Sequence, residues 1–227
     1  YSAYCNTYGI VMDRSDNNTI SGNTCNNNYE GIWLSGSDYN TFTGNICNDN
    51  GEGIWLDGCS NNLLSGNTFN TNDDIAIYLG GYGGFGSNNN IIVGNTCNSN
   101  PGNNIYIGDV LCENNEIYLN NFNNEEYNVY ADTTTDSWSS PIPLYYSYEG
   151  ASHKNHMGNY YQDYAGSDVN GDGIGDTDIP YTTGGANDNY PLMQTSSHYS
   201  LQAWYLASGD TMYRDDKSQP GGSVTIS

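Results

Sequence analysis

The chain has 227 residues, of which 26 are Asp or Glu and 4 are Lys or Arg, so its formal net charge is -22. Such a surface repels nucleic acids and anionic membranes and attracts cations, and no apolar run approaches the roughly 20 residues of a membrane span. We therefore expect no nucleic-acid partner and no membrane insertion. Because the chain begins at Tyr1 with no signal peptide, we expect a processed secreted product or a fragment.

The first part of the chain repeats a short block, Gly-Ile-Trp-Leu or a variant of it. The Ile or Val of this block stands at positions 10, 32, 54, 77, 105 and 129, so the steps are 22, 22, 23, 28 and 24 residues. A second block, Asn-x-Ile-x-Gly-Asn, keeps step with the first. Repeats of this length indicate stacked supersecondary units. Two or three short strands per repeat, separated by turn residues, predict a parallel β-helix of about six to seven coils.

Equivalent residues of successive coils should form columns. Within Gly-Ile-Trp-Leu, the Ile and Leu are predicted to face the core and the Trp to face outward, because side chains alternate across a strand. At one corner an Asn recurs, where it tolerates a left-handed backbone and where its amide can bond the next amide. This corner column contains Asn18, Asn40, Asn62, Asn90 and Asn115.

Five of these repeats place an aromatic residue on the outer face. We call this set the aromatic column; it comprises Trp33, Trp55, Tyr78, Tyr106 and Tyr130. Rings that recur at about 4.8 Å along a sheet would make a long apolar stripe. Three interpretations remain open: a platform on which sugars stack, a protein–protein interface, or a stripe covered by the chain's own insertions.

Carboxylates flank the aromatic column. Glu30 and Glu52 stand one coil apart on one side of it, and Asp13 and Asp57 stand on the other. The acid and base of a glycosidase need carboxyl groups about 5 to 9.5 Å apart, which this spacing allows. Repeat register also produces such pairs without any function, and the chain is rich in acids. We therefore expect that the chain is not an enzyme. If it is one, these four carboxylates are the candidate catalytic residues.

The six cysteines do not form the framework of a small disulfide-rich domain. Cys59 and Cys112 share one column and lie two coils apart, about 9.6 Å, which is too far for a disulfide. The other four share a second column, in which thiols act as small hydrophobes. Only Cys5–Cys25 or Cys25–Cys47 could be bonded. This column contains Cys5, Cys25, Cys47 and Cys97, with Phe69 and Phe122 at its other levels.

The repeat is interrupted and then fades. A glycine-rich insertion at 80–89 reads as a loop that bulges from one corner, with two aromatic residues at its tip. After Val129 the period weakens, and segments 144–148 and 157–161 could form one more distorted coil. We therefore divide the chain into β-helix repeats at 1–160, a closing segment at 161–194 and a C-terminal β segment, or the start of a further module, at 195–227.

The closing segment contains a loop typical of calcium sites. Oxygen-bearing side chains at positions 1, 3 and 5, a Gly at position 6 and a carbonyl at position 7 are what Ca²⁺ requires. The ninth position departs from the EF-hand pattern, and the loop resembles those of thrombospondin type 3 repeats instead. Asp178 or a residue from elsewhere could complete the shell. The predicted ligands are Asp168, Asn170, Asp172, Ile174 and Asp176.

His153 and His156 could in principle hold a soft metal. Two His in an irregular segment, with no further His or Cys in register, are more consistent with two surface histidines.

The repeat blocks, together with segments 158–164, 168–176 and 188–193, resemble the NosD-like (periplasmic copper-binding) family found in surface proteins of methanogenic archaea. The resemblance covers about residues 5–193 and implies a right-handed parallel β-helix. It does not imply one activity, because relatives include sugar-binding, sugar-cleaving and purely structural proteins.

We therefore expect an extracellular structural protein of an archaeal cell surface, such as a sheath, surface-layer or filament subunit. It should assemble into a homo-oligomer or polymer and be stabilised by Ca²⁺. The alternative is a carbohydrate-binding module, or a glycan-acting hydrolase or lyase, that uses the aromatic column on a cell-surface polysaccharide.

Overall fold

The structure, a computed structural model, describes residues 6–124, 128–132, 135–177, 179–181 and 186–202. Cys5, Asp178 and residues 203–227, which entered the sequence-based predictions, lie outside the described residues. The described residues contain no helix long and apolar enough to cross a membrane. Nearly all the regular structure consists of strands, most of them only three residues long, because Asn- and Gly-rich turns interrupt each apolar run.

A single 3₁₀ turn, Ser196–His198, is the one helical element of the described residues. The strands, in chain order, are β1 (Asn6–Asp13), β2 (Thr19–Ser21), β3 (Asn28–Ser35), β4 (Thr41–Thr43), β5 (Glu52–Asp57), β6 (Leu63–Ser65), β7 (Thr68–Asn70), β8 (Ile77–Gly80), β9 (Ile91–Val93), β10 (Thr96–Asn98), β11 (Ile105–Ile107), β12 (Glu116–Tyr118), β13 (Asn121–Asn123), β14 (Val129–Ala131), β15 (Leu144–Tyr148), β16 (Ala151–Asn155), β17 (Tyr160–Tyr161), β18 (Ile179–Tyr181), β19 (Ala186–Asp188) and β20 (Ser200–Leu201).

Three parallel sheets wind around one core, which confirms the predicted parallel β-helix. The first sheet has the order β1-β3-β5-β8-β11-β14, the second β2-β4-β6-β9-β12 and the third β7-β10-β13-β17. The third, fourth and fifth coils each contribute one strand to each of three faces, whereas the first two reach the third face only through isolated parallel bridges at Thr24 and Ile46. The solenoid has about five turns, fewer than the six to seven predicted.

The core consists of the columns that the repeat predicts. Ile32, Leu34, Ile54 and Leu56 have none of their surface exposed, and β3 and β5 pair so that Ile32 lies against Ile54 and Leu34 against Leu56. No coil can bury this apolar face alone, so the stacking of identical coils is what excludes water from it.

In the first three repeats the residue before the Ile is a glycine with no room for a side chain. A Cβ atom on Gly31 would lie 2.5 Å from the carbonyl oxygen of Gly53 and 2.8 Å from Cβ of Cys47. Gly31 therefore faces the core together with its neighbour Ile32, and the simple alternation of the strand is broken at this point. As a result Glu30 is placed on the outer face, beside Trp33.

All five described cysteines are buried free thiols, namely Cys25, Cys47, Cys59, Cys97 and Cys112. Cys97 pairs in register with Phe69 and Phe122, as the predicted column requires. The Cys25–Cys47 pair, left open by the sequence, is not bonded here. The Cys5–Cys25 alternative involves a residue outside the described part of the chain.

Asparagine amides connect the coils in what we call the Asn ladders. The backbone N–H of Asn40 donates to Oδ1 of Asn62 at 2.8 Å, and Asn62 donates to Asn90 in the same way at 2.9 Å. The prediction that ladder residues themselves adopt the left-handed backbone was wrong. The residue before each of them does so, with φ between 55° and 60°: Asn17, Tyr39, Asn61, Asn89 and Asn114.

The segment after β14 continues the solenoid only in part. In place of the strand predicted at 144–148, β15 and β16 form an antiparallel hairpin, and β20 pairs with the other edge of β15. Ser137 extends the second sheet by a parallel bridge to Glu116, and β17 extends the third, where Tyr161 pairs in parallel with Phe122. A second apolar cluster forms here from Tyr146, Tyr148, Met157, Ile174, Leu192 and Tyr199, with Leu119.

Candidate functional site

The aromatic column lies on the outer face of the six-stranded sheet, as predicted, but its rings are half-buried rather than fully exposed. Neighbouring ring centroids lie 4.8 Å apart for Trp55 and Tyr78, 5.3 Å for Tyr78 and Tyr106, and 4.6 Å for Tyr106 and Tyr130. Tyr106 and Tyr130 are nearly parallel, at 10°. These rings pack against one another, so part of the apolar surface of the column is buried by contacts within the chain.

The column is interrupted between Trp33 and Trp55. Trp33 stacks instead on Tyr8, with centroids 5.2 Å apart and planes at 19°. Among the described residues, no ring contact joins Trp33 to Trp55. Tyr8 was missed from the sequence because it pairs in register with Glu30 and not with Trp33; only the local geometry brings its ring onto the indole.

Glu30 and Glu52 are neighbours in the pairing of β3 with β5 and lie beside this interruption. Glu30 has only 4% of its surface exposed. Oε2 of each glutamate is buried without a hydrogen-bond partner, and so is the Nε1–H donor of Trp55. Buried polar groups of native proteins are usually paired, so three unpaired atoms on two adjacent strands call for an explanation.

Burial is the main cause of the unusual acidity of both glutamates. It raises the pKa of Glu30 to about 7, helped by the charges of Glu52 and Asp57. It raises the pKa of Glu52 to about 7 as well, helped by the charge of Asp74. At neutral pH each group is therefore close to half-protonated and could either donate or accept a proton. Asp74, which was not among the predicted carboxylates, therefore also belongs to this acidic set.

The two aspartates of the predicted set behave differently from each other. Asp57 pairs with Ser35, and Ser35 pairs with Asp13, so the aspartates lie two strands apart. Burial raises the pKa of Asp57, whereas the Asp13 side chain is exposed at the end of β1. The structure therefore brings Glu30, Glu52 and Asp57 together and leaves Asp13 at the edge.

The predicted calcium loop folds around its first aspartate. The carboxylate of Asp168 accepts hydrogen bonds from the backbone N–H groups of Gly171 at 2.7 Å, Asp172 at 3.1 Å and Gly173 at 2.8 Å. Gly171 and Gly173 have φ of 74° and 84°, which favours glycine at both positions. Asn170 accepts from the Asp172 N–H at 2.9 Å. The acidic side chains thus shape the loop backbone.

Four of the five predicted calcium ligands line one polar cavity; Asp168 does not. Two asparagines from outside the loop line the same cavity, and neither was among the predicted ligands. The Nδ2 group of Asn155 donates to Oδ2 of Asp172 at 3.1 Å, which joins β16 to the loop. Nevertheless, no group of three or more His, Cys, Asp or Glu in the described residues is arranged to hold a metal ion. The cavity is lined by Asn155, Asn170, Asp172, Ile174, Gly175, Asp176, Asn189 and Tyr190.

The residues suited to a soft metal are engaged elsewhere. Every described cysteine is a buried thiol of the core columns. Nδ1 of His156 lies 2.7 Å from the carbonyl oxygen of Ser140, and the ring of His153 stacks on Tyr146 at 5.6 Å. Copper needs several such donors around one point, and the described residues do not provide that arrangement.

Comparison with known protein families identifies a match over most of the chain. The model of the family described as periplasmic copper-binding protein (NosD) matches residues 2–166 of the chain. The match spans the whole solenoid and the β15–β16 hairpin. No curated protein matches the chain.

Proposed function

The chain therefore belongs to the NosD family, and we propose that it is an extracellular structural protein of a cell surface, stabilised by Ca²⁺, that assembles through its β-helix. The periplasmic description of the family supports a location outside the cytoplasm. The high negative charge supports cation binding. The cavity at the closing segment, lined by four predicted ligands, is the observation that carries the calcium part of the proposal.

A calcium ion in this cavity would join the closing segment to the β15–β16 hairpin. The loop supplies Asn170, Asp172 and Asp176, β16 supplies Asn155, and Asn189 follows β19. Carboxylate and amide oxygens are the ligands that Ca²⁺ prefers. Because these parts are distant in sequence, binding to the folded state alone would stabilise it by mass action.

Removing calcium is expected to loosen residues 160–177 and 186–193 and to leave the solenoid intact. At a free Ca²⁺ concentration of about 100 times Kd, the stabilisation of this segment would be about 2.7 kcal/mol. Hydrogen exchange with Ca²⁺ and with EDTA measures this difference segment by segment, and Asp172→Ala should mimic EDTA.

Glu113→Ala is the matched control, because it removes one exposed carboxylate outside the loop. It should keep the full response to Ca²⁺. If exchange and the melting profile are unchanged by EDTA, the chain has no stabilising calcium site.

A second candidate function is glycan binding at the interruption of the aromatic column. Sugar hydroxyl groups both donate and accept hydrogen bonds, and the unpaired atoms there comprise two carboxylate acceptors and one indole donor. Trp33 and Trp55, which do not stack on each other, could contact the faces of a sugar. If the bound glycan were also cleaved, Glu30 and Glu52 would be the acid and base, since both titrate near neutral pH.

Under this second proposal, Trp55→Ala should weaken binding of a polysaccharide by roughly tenfold, about 1.4 kcal/mol. Affinity electrophoresis with cellulose- and chitin-derived polymers provides the measurement, and release of reducing ends tests cleavage. Tyr82→Ala is the control, because Tyr82 is 57% exposed on the glycine-rich loop and, among the described residues, makes no ring contact with the aromatic column. Equal losses in both variants, or no retardation of the native chain, would argue against a glycan site here.

A further inference from the structure

The interruption of the aromatic column contains two carboxylates that lack partners. Glu30 and Glu52 lie side by side in the pairing of β3 with β5, and Oε2 of each is buried without a hydrogen-bond partner among the described residues. Only 4% of the surface of Glu30 is exposed, so little water can solvate its charge. A buried charge without a partner is costly, and a ligand that supplies donors at this place offsets that cost.

Negative charge from two further side chains reaches the same place. The charges of Glu52 and Asp57 act on Glu30, and the charge of Asp74 acts on Glu52. The charged groups that shift the pKa of the two glutamates are thus all carboxylates. A neutral hydroxyl group could donate a hydrogen bond here, but only a cation also offsets the converging negative charge.

Two indole rings border the glutamates on the outer face of the sheet. Trp33 and Trp55 follow Glu30 and Glu52 by three positions and are themselves neighbours in the pairing of β3 with β5. Both indoles and Glu52 are half-buried, so a ligand that approaches this face meets all three side chains. The Oε2 atoms are closed to water, so binding requires these outer side chains to change rotamer, which is common at binding sites.

An indole face accepts two kinds of contact. It packs against apolar ring faces, and it attracts cations through the negative face of its π-system. Nε1 of Trp55 adds a donor that is buried without a partner. The site therefore combines carboxylate acceptors, apolar ring faces and one hydrogen-bond donor, which together suit a ligand with rings, hydroxyl groups and a positive charge.

We propose that this site binds a glycan with unsubstituted amino groups, with an ammonium group beside Glu30 and Glu52 and sugar rings against Trp33 and Trp55. The inference rests on the second candidate function above and names its substrate class. The ammonium group donates to the two unpaired Oε2 atoms, and Nε1 of Trp55 donates to a sugar hydroxyl.

Other glycan classes match the site less well. An N-acetylated sugar offers one neutral N–H where the amino sugar offers a charged group with three donors, so the negative charge is not offset. A uronic acid would bring a further carboxylate to four that already influence one another. A flexible polyamine has the positive charge but lacks the rings that the indoles would contact.

Three ligands separate these possibilities: a tetrasaccharide of glucosamine, a tetrasaccharide of N-acetylglucosamine, and spermine. Each is titrated calorimetrically against the full chain at neutral pH and physiological ionic strength, which screens the exposed charges. The glucosamine tetrasaccharide should bind at least about tenfold more tightly than the N-acetylated one, because a charge-assisted hydrogen bond to a buried carboxylate is stronger than a neutral one. Spermine should also bind about tenfold more weakly.

A double variant tests the role of the two glutamates. Glu30→Gln with Glu52→Gln keeps the shape of both side chains and an acceptor on each, but removes both charges. It should bind the two tetrasaccharides with equal affinity. Glu113→Gln with Glu149→Gln is the matched control, because it removes two exposed charges elsewhere. The control should keep the tenfold preference, and circular dichroism should show that both variants fold.

Equal affinity of the native chain for the two tetrasaccharides, or tighter binding of the N-acetylated one, would overturn the inference and leave glycan binding in place. A preference that persists in the glutamine variant would do the same. Spermine binding as tight as that of the glucosamine tetrasaccharide would also overturn it, since charge alone would then explain the affinity. If neither tetrasaccharide binds, the inference fails, and affinity electrophoresis with the polymers named above decides whether the glycan function fails with it.

Discussion

Replacing Asn67 with aspartate is expected to lower the free energy of unfolding by about 3 kcal/mol at pH 8. Asn67 is 1% exposed, and its Nδ2 group donates to Oδ1 of Asn95 and to the carbonyl oxygen of Phe42, both at 3.0 Å. Aspartate has the same shape and can still accept from Asn45, but it loses both donated bonds and buries a charge. Protonation would restore one donor, so the loss should be smaller at pH 5.

Denaturant unfolding at both pH values measures this effect. Asn23→Asp is the matched control in the same ladder, because Asn23 is exposed and lies at its first position. Its cost should be about 1 kcal/mol or less. If the interior and terminal substitutions cost the same, the ladder would not be the element that joins the coils.

The second large effect concerns pH. Burial raises the pKa of Glu30 and Glu52 to about 7 in the folded chain, against about 4.3 in an unfolded chain. The folded state therefore binds more protons between these values, and its stability must fall as the pH rises. The contribution of each group is fully present below about pH 4.3 and is lost above about pH 7.

Glu30→Gln should therefore make the chain more stable than the native protein at pH 8, by on the order of 2–3 kcal/mol. Glu52→Gln should have a smaller effect, because Glu52 is less buried and its charge is better screened. The difference between variant and native unfolding free energies, measured from pH 4 to pH 8, isolates these groups from other titrating carboxylates. Asp13→Asn, which removes an exposed charge, should leave the pH dependence unchanged. A native and a Glu30→Gln chain with parallel pH profiles would contradict the predicted burial.

Repetition explains why the fold could be predicted from the sequence. Equivalent residues of a solenoid meet one another, so positions 32 and 54, or 18 and 40, become neighbours once the period is known. The core columns, the free thiols and the Asn corner all follow from this rule. The coil count and the closing segment were less predictable, because the period fades where the antiparallel β15–β16 hairpin begins.

The candidate sites show the limit of the same rule. Register predicts which residues form the aromatic column and which carboxylates flank it, since it places Glu30 beside Glu52. Folding adds three features that register does not predict: Gly31 turns inward, Tyr8 rather than a column member stacks on Trp33, and Glu30 is buried. These features are not periodic, because they depend on contacts between residues that differ from coil to coil. The repeat therefore does not predict them.

The C-terminal end of the solenoid shows the same division. Sequence spacing identified the loop from Asp168 to Asp176, because its predicted ligands are close together in the chain. Only folding brings Asn155 to the cavity at this loop. Only folding ends the Asn ladders on carboxylates, where Asn115 donates to Asp136, Asn128 to Asp163 and Asn159 to Asp188. Asn155 and these aspartates lie outside the repeat and contact partners that are distant in the sequence. No local sequence pattern therefore predicts the contacts.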